Sequence, residues 1–169
     1  MIVEYVLIAV EVVLAGTFGF FMLYLAGLSL LALTQRSRPS FDATSTRRFA
    51  VVVPAHDEES SIAATVRSVR EIDYPKEKFD VVVVADNCSD GTAEIARSEG
   101  AKVLERADRE RRGKGWALRW CFDAILGDRS AYDAVAVIDA DTVVDPKFLT
   151  VMNYYLGRGS EALQCSDMV

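Results

Sequence analysis

Two carboxylates stand two residues apart at the end of an apolar run, in the segment Val135-Ala-Val-Ile138-Asp139-Ala140-Asp141. A short apolar run of this kind is typical of a buried β-strand. Alternation along a strand would direct Asp139 and Asp141 to one side. Ligands of open α/β sheets bind beyond the carboxyl ends of the strands. Paired carboxylates there suit a hard divalent cation that also holds a diphosphate. The alternative is that both aspartates are turn or cap residues.

Polar residues also follow two earlier apolar runs, so the acidic pair is not isolated. The run Phe49–Val53 is followed by Pro54-Ala-His-Asp-Glu-Glu59, and the run Val81–Val84 is followed closely by Asp86 and Asn87. A carboxylate such as Asp86 can accept hydrogen bonds from a base N–H or from ribose hydroxyls. His56, the single histidine, is predicted to position or hydrogen-bond a ligand rather than to act as an acid or base. These strand ends predict a nucleotide site.

A basic, glycine-containing loop, Arg111-Arg-Gly113-Lys114-Gly115, lies between these blocks in the sequence. Its glycines allow close approach to a phosphate, and Lys114 offers that phosphate a point charge. The alternative is a solvated loop in which arginines alternate with acids.

Two common nucleotide-binding motifs are excluded. A dinucleotide fold needs a glycine-rich turn after the first strand, and residues 54–60 contain no glycine. A Walker P-loop needs glycine five residues before Gly113 and Ser or Thr after Lys114, whereas the chain has Asp108 and Gly115.

Apolar runs and helical periodicities alternate along the chain, which predicts an α/β fold with a mainly parallel sheet. The predicted strands are 49–53, 81–84, 102–105 and 135–138, with a further one beginning at 161–165, and helices follow Ser60 or Ser61, Gly91, Gly115 and Asp145-Pro146. Trp116 and Trp120, at helical spacing, are predicted to lie in the core, with an exposed acceptor platform as the alternative.

The first 34 residues are predicted to be a transmembrane anchor. Val12–Leu33 holds no charge and no proline over 22 residues, enough to cross a bilayer core as a helix. Residues 35–48 are a basic juxtamembrane linker whose arginines would face anionic headgroups. Because acids precede the span and arginines follow it, the remaining domain, 49–169, is expected in the cytoplasm.

Composition narrows the function classes further. The first 35 residues hold two acids and no base, so the remainder carries 23 acidic and 19 basic residues, a net charge of −4. This acidic balance argues against a nucleic-acid partner. Cys88, Cys121 and Cys165 are odd in number and widely spaced, which favours reduced thiols over a disulfide framework or a zinc site.

Four blocks, taken together and in order, resemble the family-2 glycosyltransferases of GT-A fold. They are Val-Val-Val-Pro54-Ala-His-Asp-Glu58, Val-Val-Val-Ala-Asp86-Asn-Cys-Ser-Asp-Gly91-Thr, Arg112-Gly-Lys114-Gly-Trp-Ala-Leu118 and Ile138-Asp-Ala-Asp141. The resemblance covers about residues 48 to 165. It implies a Rossmann-like nucleotide-sugar-binding domain, a nucleotide-sugar donor that is usually UDP-linked, a Mg²⁺ or Mn²⁺ ion, and transfer with inversion to a lipid or polysaccharide acceptor at the membrane.

The resemblance also assigns roles by position. Asp141 would be the metal ligand, with Asp139 beside the metal or the ribose. The donor nucleotide would be held by Pro54, Ala55, His56, Glu58, Asp86, Asn87, Lys114, Asp139 and Ala140.

The chain departs from the family pattern in two ways. The family usually has Asn where this chain has Asp57, a change that keeps an acceptor but loses the amide donors. The general base of inverting transfer lies on a later segment in the family, and Glu161 and Asp167 come too early to match it. The resemblance therefore implies the donor half of an enzyme, with no catalytic base assigned.

The alternative function is that of a non-catalytic, membrane-anchored nucleotide-sugar-binding module. A nucleotidyltransferase is disfavoured, because its glycine- and arginine-rich loop after the first strand is absent.

Overall fold

The N-terminal apolar run forms one long helix, α1, Ile2–Thr34. A computed structural model describes residues 2–34, 46–127 and 131–165, and the chain divides into two compact units, Met1–Ser40 and Phe41–Val169. Within α1, the 29 residues Val3–Leu31 are long and apolar enough to cross a membrane, and none of the helix's most apolar stretch is buried. A helix that is apolar on all sides has no polar face to turn toward water.

The second unit is built on a four-stranded, all-parallel sheet in the order β3-β2-β1-β4. Its strands are β1 Phe49–Ala55, β2 Phe79–Asp86, β3 Lys102–Arg106 and β4 Ala134–Val137. Its helices are α2 Ile62–Arg70, α3 Thr92–Ser98, α4 Lys114–Ile125 and α5 Phe148–Gly157, and a short 3₁₀ turn, Lys76–Lys78, precedes β2. The predicted strand–helix alternation and the parallel sheet are confirmed.

The central strands β1 and β2 are buried on both faces, which explains their runs of valine. Val51 and Val53 lie on one face of the sheet with apolar residues of α2 and α5. Ala50 and Val52 lie on the other face and pack with Ala117 and Cys121 of α4. The sheet thus carries helices on both faces, and the polar residues that follow its strands lie at the carboxyl ends of those strands.

Three predicted boundaries were wrong. Pro54 does not end the first strand but lies within β1, opposite Val84. On its other side, β1 pairs with β4 only as far as Val52. Pro54 therefore lies beyond the end of the β1–β4 pairing, where a missing N–H is tolerated. Helix α5 begins at Phe148, after a turn at 146–147, and residues 161–165 form no strand.

The predicted core positions of Trp116 and Trp120 were also wrong. Their exposed fractions are 44% and 37%, whereas Ala117 and Cys121, one position further along, are buried. The arginine side chain of Arg111 lies over the ring of Trp116, 5.4 Å from its centre. Helix α4 therefore presents its small residues to the sheet and leaves its tryptophans on the outer side.

Two linker arginines contact the domain itself. The backbone N–H of Arg47 donates to Asn153 Oδ1 (3.1 Å), and the guanidinium of Arg48 donates to Asp80 (3.2 Å). The predicted headgroup contact of the linker arginines stays a prediction, and Arg36 and Arg38 lie outside the described residues.

Candidate functional site

A cavity of about 520 Å³ lies where the carboxyl ends of β1 and β2 meet the turn after β4 and the start of α4. Every residue predicted for donor or metal binding lines it, together with Arg112, Gly113 and Ala117. The predicted residues are Pro54, Ala55, His56, Glu58, Asp86, Asn87, Lys114, Asp139, Ala140 and Asp141. The parallel sheet brings together side chains that are far apart in sequence.

Asp86 is the last residue of β2 and is only 6% exposed. Its Oδ1 accepts hydrogen bonds from Arg106 Nη1 (2.6 Å) and from Asn87 Nδ2 (3.0 Å). Among the described residues, no hydrogen bond to its second oxygen, Oδ2, accompanies these two. The guanidinium thus binds Oδ1, and Oδ2 remains an acceptor in the lining of the cavity.

Arg106, at the end of β3, is a buried partner of Asp86 that is not among the predicted site residues. It is 6% exposed, and its Nη2 donates to Asp108 Oδ2 (2.9 Å) and to the carbonyl of Arg111 (2.6 Å). The same guanidinium thus binds the end of β2 and the start of the basic loop. The register that places Arg106 opposite Asp86, at the ends of β3 and β2, comes from the folded sheet and is not visible in the sequence.

Asn87 belongs to the same hydrogen-bond network as Asp86 and Arg106. Its backbone has a left-handed φ of 53°, which asparagine tolerates better than most residues. Its N–H donates to the Arg106 carbonyl (2.7 Å), and its Oδ1 accepts from the N–H of Asp108 (2.9 Å). The N–H groups of Arg111 and Glu110 and the Arg106 charge outweigh burial and lower the pKa of Asp108. The loop therefore folds around charged carboxylates.

His56 is oriented by the backbone of β2. Its Nδ1 lies 2.7 Å from the carbonyl oxygen of Asp86. Since a carbonyl oxygen only accepts, Nδ1 carries the proton, and in the neutral ring Nε2 is then an acceptor. About half of the side chain is exposed. This geometry agrees with the predicted positioning role.

Asp57 accepts a hydrogen bond through its side-chain oxygen Oδ1, an acceptor that the family's usual asparagine would also offer. It has a left-handed φ of 55°, and its Oδ1 accepts from the N–H of Ser89 (2.6 Å). Its carboxylate, the Cys88 thiol and the Asp90 carboxylate lie within 4.8 Å of one another, close enough to hold a cation. Asp90, however, accepts from the hydroxyl (2.5 Å) and N–H (3.0 Å) of Thr92. These bonds lower the pKa of Asp90. The N–H of Glu59 also donates to Asp90 (3.1 Å), which joins the loops that follow β1 and β2.

The cysteines of the domain take no direct part. Burial raises the pKa of Cys88, whose thiol donates to the carbonyl of Ala55 (3.5 Å). Burial raises the pKa of Cys121 to about 11. Both are neutral thiols at pH 7, and neither lines the cavity.

Asp139 and Asp141 reach the cavity from a turn rather than along a strand. Strand β4 ends at Val137, and the N–H of Thr142 donates to the Asp139 carbonyl (3.1 Å), which closes the turn. Both aspartates are exposed while Ala140 between them is buried, so both carboxylates emerge on one side, as predicted. Asp139 forms an ion pair with Lys114. Two carboxylates that share a cavity with a lysine fit a divalent cation completed by phosphate oxygens and water.

The basic side of the cavity is the start of α4. Gly113 precedes the helix with a φ of 103°, a conformation that side chains other than glycine rarely adopt. Lys114 is the first helical residue and lines the cavity with Arg112. The unpaired N–H groups and the dipole of a helix N-terminus favour an anion, and both bases add to that preference. This side of the cavity can hold a phosphate.

The family model "Glycosyl transferase family 2" matches residues 50–166, a stretch that holds every residue of this cavity. The chain belongs to glycosyl transferase family 2. It is 32% identical over 118 residues to the probable glycosyltransferase YdaM of Bacillus subtilis, covering 66% of this chain and 26% of that relative.

Solved structures share the fold. The mannosyltransferase PcManGT of Pyrobaculum calidifontis, in complex with GDP-Man and Mn²⁺, has a TM-score of 0.60 at 25% identity over 81% of this chain and 40% of that one. The glucosyl-3-phosphoglycerate synthase of Mycobacterium tuberculosis, in complex with Mn²⁺, UDP-Glc and phosphoglyceric acid, has a TM-score of 0.52 at 28% identity over 68% and 43%. The domain is therefore GT-A-like, and the chain spans about a quarter of the relative's length and two fifths of each structure.

Proposed function

We propose that the cavity is the donor site of a membrane-anchored glycosyltransferase. It takes a nucleotide sugar, UDP-linked, for inverting transfer to a lipid or polysaccharide acceptor. The observation that supports this most is the gathering of all ten predicted residues around one cavity of family-2 fold. The related structures were solved with GDP-Man or UDP-Glc.

The nucleoside end of the donor belongs at the strand ends. Asp86 Oδ2 and the Nε2 atom of His56 are acceptors, and the uracil ring and the ribose hydroxyls are donors of the matching kind. The carboxylate of Asp86 is held by Arg106 and Asn87 before any ligand arrives. Such preorganisation lowers the entropic cost of binding.

The diphosphate belongs between the acidic turn and α4. Asp141 and Asp139 would hold Mg²⁺ or Mn²⁺, which neutralises charge on the departing nucleoside diphosphate. Lys114, the first residue of α4, connects the helix to the acidic turn because it is already paired with Asp139. With Arg112 and the start of α4, it binds phosphate oxygens and orients the sugar-bearing end away from the strand ends.

Deprotonation of the acceptor hydroxyl needs a general base, and none of the described residues is assigned to it. The residues on this chain supply donor binding and leaving-group stabilisation. The acids Glu4 and Glu11 lie in the first third of α1 and arginines follow the helix, so the positive-inside rule supports a cytoplasmic donor site. Membrane anchoring by α1 would bring the donor site close to a water-insoluble acceptor.

Calorimetric titration of the full chain in detergent micelles tests this proposal, with UDP or GDP as ligand and with or without Mn²⁺. We expect UDP binding that Mn²⁺ strengthens. Asp141→Ala should weaken the Mn²⁺-dependent binding by at least about tenfold, since even outer-shell changes at metal sites cost that much. Asp123→Ala removes an exposed carboxylate of α4 outside the cavity and is the matched control.

The outcomes separate the alternatives. A folded chain that binds neither nucleotide contradicts the proposal. Binding that Asp141→Ala leaves unchanged contradicts the metal role of the acidic turn. UDP-sugar binding by the protein without transfer to any lipid-extract acceptor favours a non-catalytic binding module.

A further inference from the structure

Helix α2 lies against the acidic turn without lining the cavity. Thr65, in its second turn, is 1% exposed, and its hydroxyl donates to the carbonyl oxygen of Ala140 at 2.7 Å. Ala140 is the residue between the two cavity aspartates and is itself 5% exposed. The pair Thr65–Ala140 is therefore a buried hydrogen bond directly behind the carboxylates.

A second hydroxyl on α2 holds the far end of the same turn. Ser68 Oγ accepts from the N–H of Val144 (3.1 Å) and donates to the carbonyl of Thr65 (2.8 Å). Residues three apart on a helix lie on one face. Thr65 and Ser68, which we name the α2 clasp, thus bind two backbone groups four residues apart in the turn.

The other backbone hydrogen bonds of the turn do not orient it against α2. The N–H of Ile138 donates to Val52 on β1 (3.0 Å), which fixes where the turn begins. The bond from Thr142 to Asp139 is internal to the turn and does not orient it. In the described part of the chain, the backbone groups of residues 139–144 form hydrogen bonds to other elements only through Thr65 and Ser68.

Ala140 is anchored through its side chain as well. Its methyl group belongs to the core cluster that includes Val66 of α2 and Leu149 of α5. With both the methyl group and the carbonyl of Ala140 directed into the domain, the aspartates on either side must project the opposite way, into the cavity.

We propose that Thr65 and Ser68 are positioning residues for the acidic turn. They act through the backbone of Ala140 and Val144 and hold the Asp139 and Asp141 carboxylates in place for the metal–diphosphate group. This inference rests on the proposed function, which makes those carboxylates the metal-binding pair. Outer partners of a metal site affect metal affinity without touching the ion.

The test compares three variants of the full chain in detergent micelles. Thr65→Val keeps the shape of the side chain and removes the hydroxyl, whereas Thr65→Ser keeps the hydroxyl. Thr150→Val is the matched control, because its hydroxyl also donates to a backbone carbonyl, that of Asp73 (3.0 Å), at an exposed site outside the cavity.

Two readouts are needed. In ligand-free protein, hydrogen exchange of the amides of residues 140–144 should be faster in Thr65→Val than in wild type, and unchanged in Thr150→Val. In titrations, Thr65→Val should weaken Mn²⁺-dependent UDP binding roughly 10- to 100-fold, while UDP binding without metal stays the same. Thr65→Ser should restore wild-type values in both readouts.

Wild-type Mn²⁺-dependent affinity in Thr65→Val would overturn the inference. So would a loss of metal-free and metal-dependent binding alike, since that marks general unfolding rather than a displaced turn. If the wild type binds no UDP at all, the proposed function fails by itself. The exchange readout then still decides the clasp, and unchanged exchange in Thr65→Val overturns it.

Discussion

At the scale of single residues, the buried guanidinium of Arg106 holds the Asp86 side of the cavity in place. The side chain of Arg106 is 5% exposed and pairs with that of Asp86, which is 8% exposed. Taking two charges out of water is costly, and the cost is recovered only when hydrogen bonds satisfy both groups. Here the guanidinium binds two carboxylates and a loop carbonyl. Arg106 therefore connects the Asp86 side of the cavity to the basic loop.

Replacement of Arg106 by Gln is expected to destabilise the domain by about 3–5 kcal/mol, because it leaves the Asp86 charge buried without its partner. Urea unfolding measures this. Arg97→Gln is the control: Arg97 pairs with Glu105 on the surface, and exposed pairs contribute little. Arg106→Lys should fall between them, since an ammonium lacks the planar fork. Equal losses for Arg106→Gln and Arg97→Gln would contradict this account.

At the scale of secondary-structure elements, a second charged cluster ties the strands together at the end of the sheet opposite the cavity. Asp80, near the start of β2, accepts from Tyr132 Oη (2.7 Å) before β4 and pairs with Lys102 of β3 (2.9 Å). Arg48, just before β1, is its third partner (3.2 Å). The Asp80 carboxylate on β2 thus binds residues at or just before the start of the other three strands, β1, β3 and β4.

This cluster predicts acid sensitivity. Burial alone would raise the pKa of Asp80, but the hydrogen bonds from Tyr132 and Lys102 and the charge of Lys102 outweigh it, so the pKa is lowered. A pKa below the unfolded value of about 3.9 means stability that is present above that pH and lost as pH falls through the folded value. Urea unfolding from pH 7 to 3 should show this loss, and Asp80→Asn should flatten the curve. Asp123→Asn should not, and parallel curves for Asp80→Asn and wild type would refute the prediction.

The elements also show how far the sequence reaches. The strands were predictable because valine runs that are buried on both faces leave a clear local pattern, and the cavity residues because carboxyl ends of parallel strands meet. The side that α4 presents to the sheet was not predictable from spacing. Ala117 and Trp116 are neighbours, and periodicity alone does not say which stripe is buried. Arg106 and the α2 clasp were missed because their partners come from distant segments, which only the register of the folded sheet brings together.

At the scale of the whole molecule, the two units differ in the solvent that their surfaces suit. The second unit, residues 41–169, holds 23 acidic and 17 basic residues, a net charge of −6, around an apolar core of its own. In contrast, α1 exposes large apolar side chains along its length, such as Phe18 at 69% and Leu23 at 77%. Exposed apolar surface of this extent is costly in water and favourable in hydrocarbon.

We therefore expect the full chain to stay in the membrane fraction after an alkaline carbonate wash, and a variant that lacks residues 1–45 to be soluble and folded. Leu23→Arg places a charge near the middle of the apolar stretch, which costs about 2.5–3.5 kcal/mol of insertion free energy. This variant should shift part of the protein to the soluble fraction. Leu23→Ala is the matched control, because it shortens the same side chain without adding charge. Release of the wild-type chain by carbonate would contradict membrane insertion of α1, and equal release of both Leu23 variants would show that packing, rather than hydrocarbon burial, retains the helix.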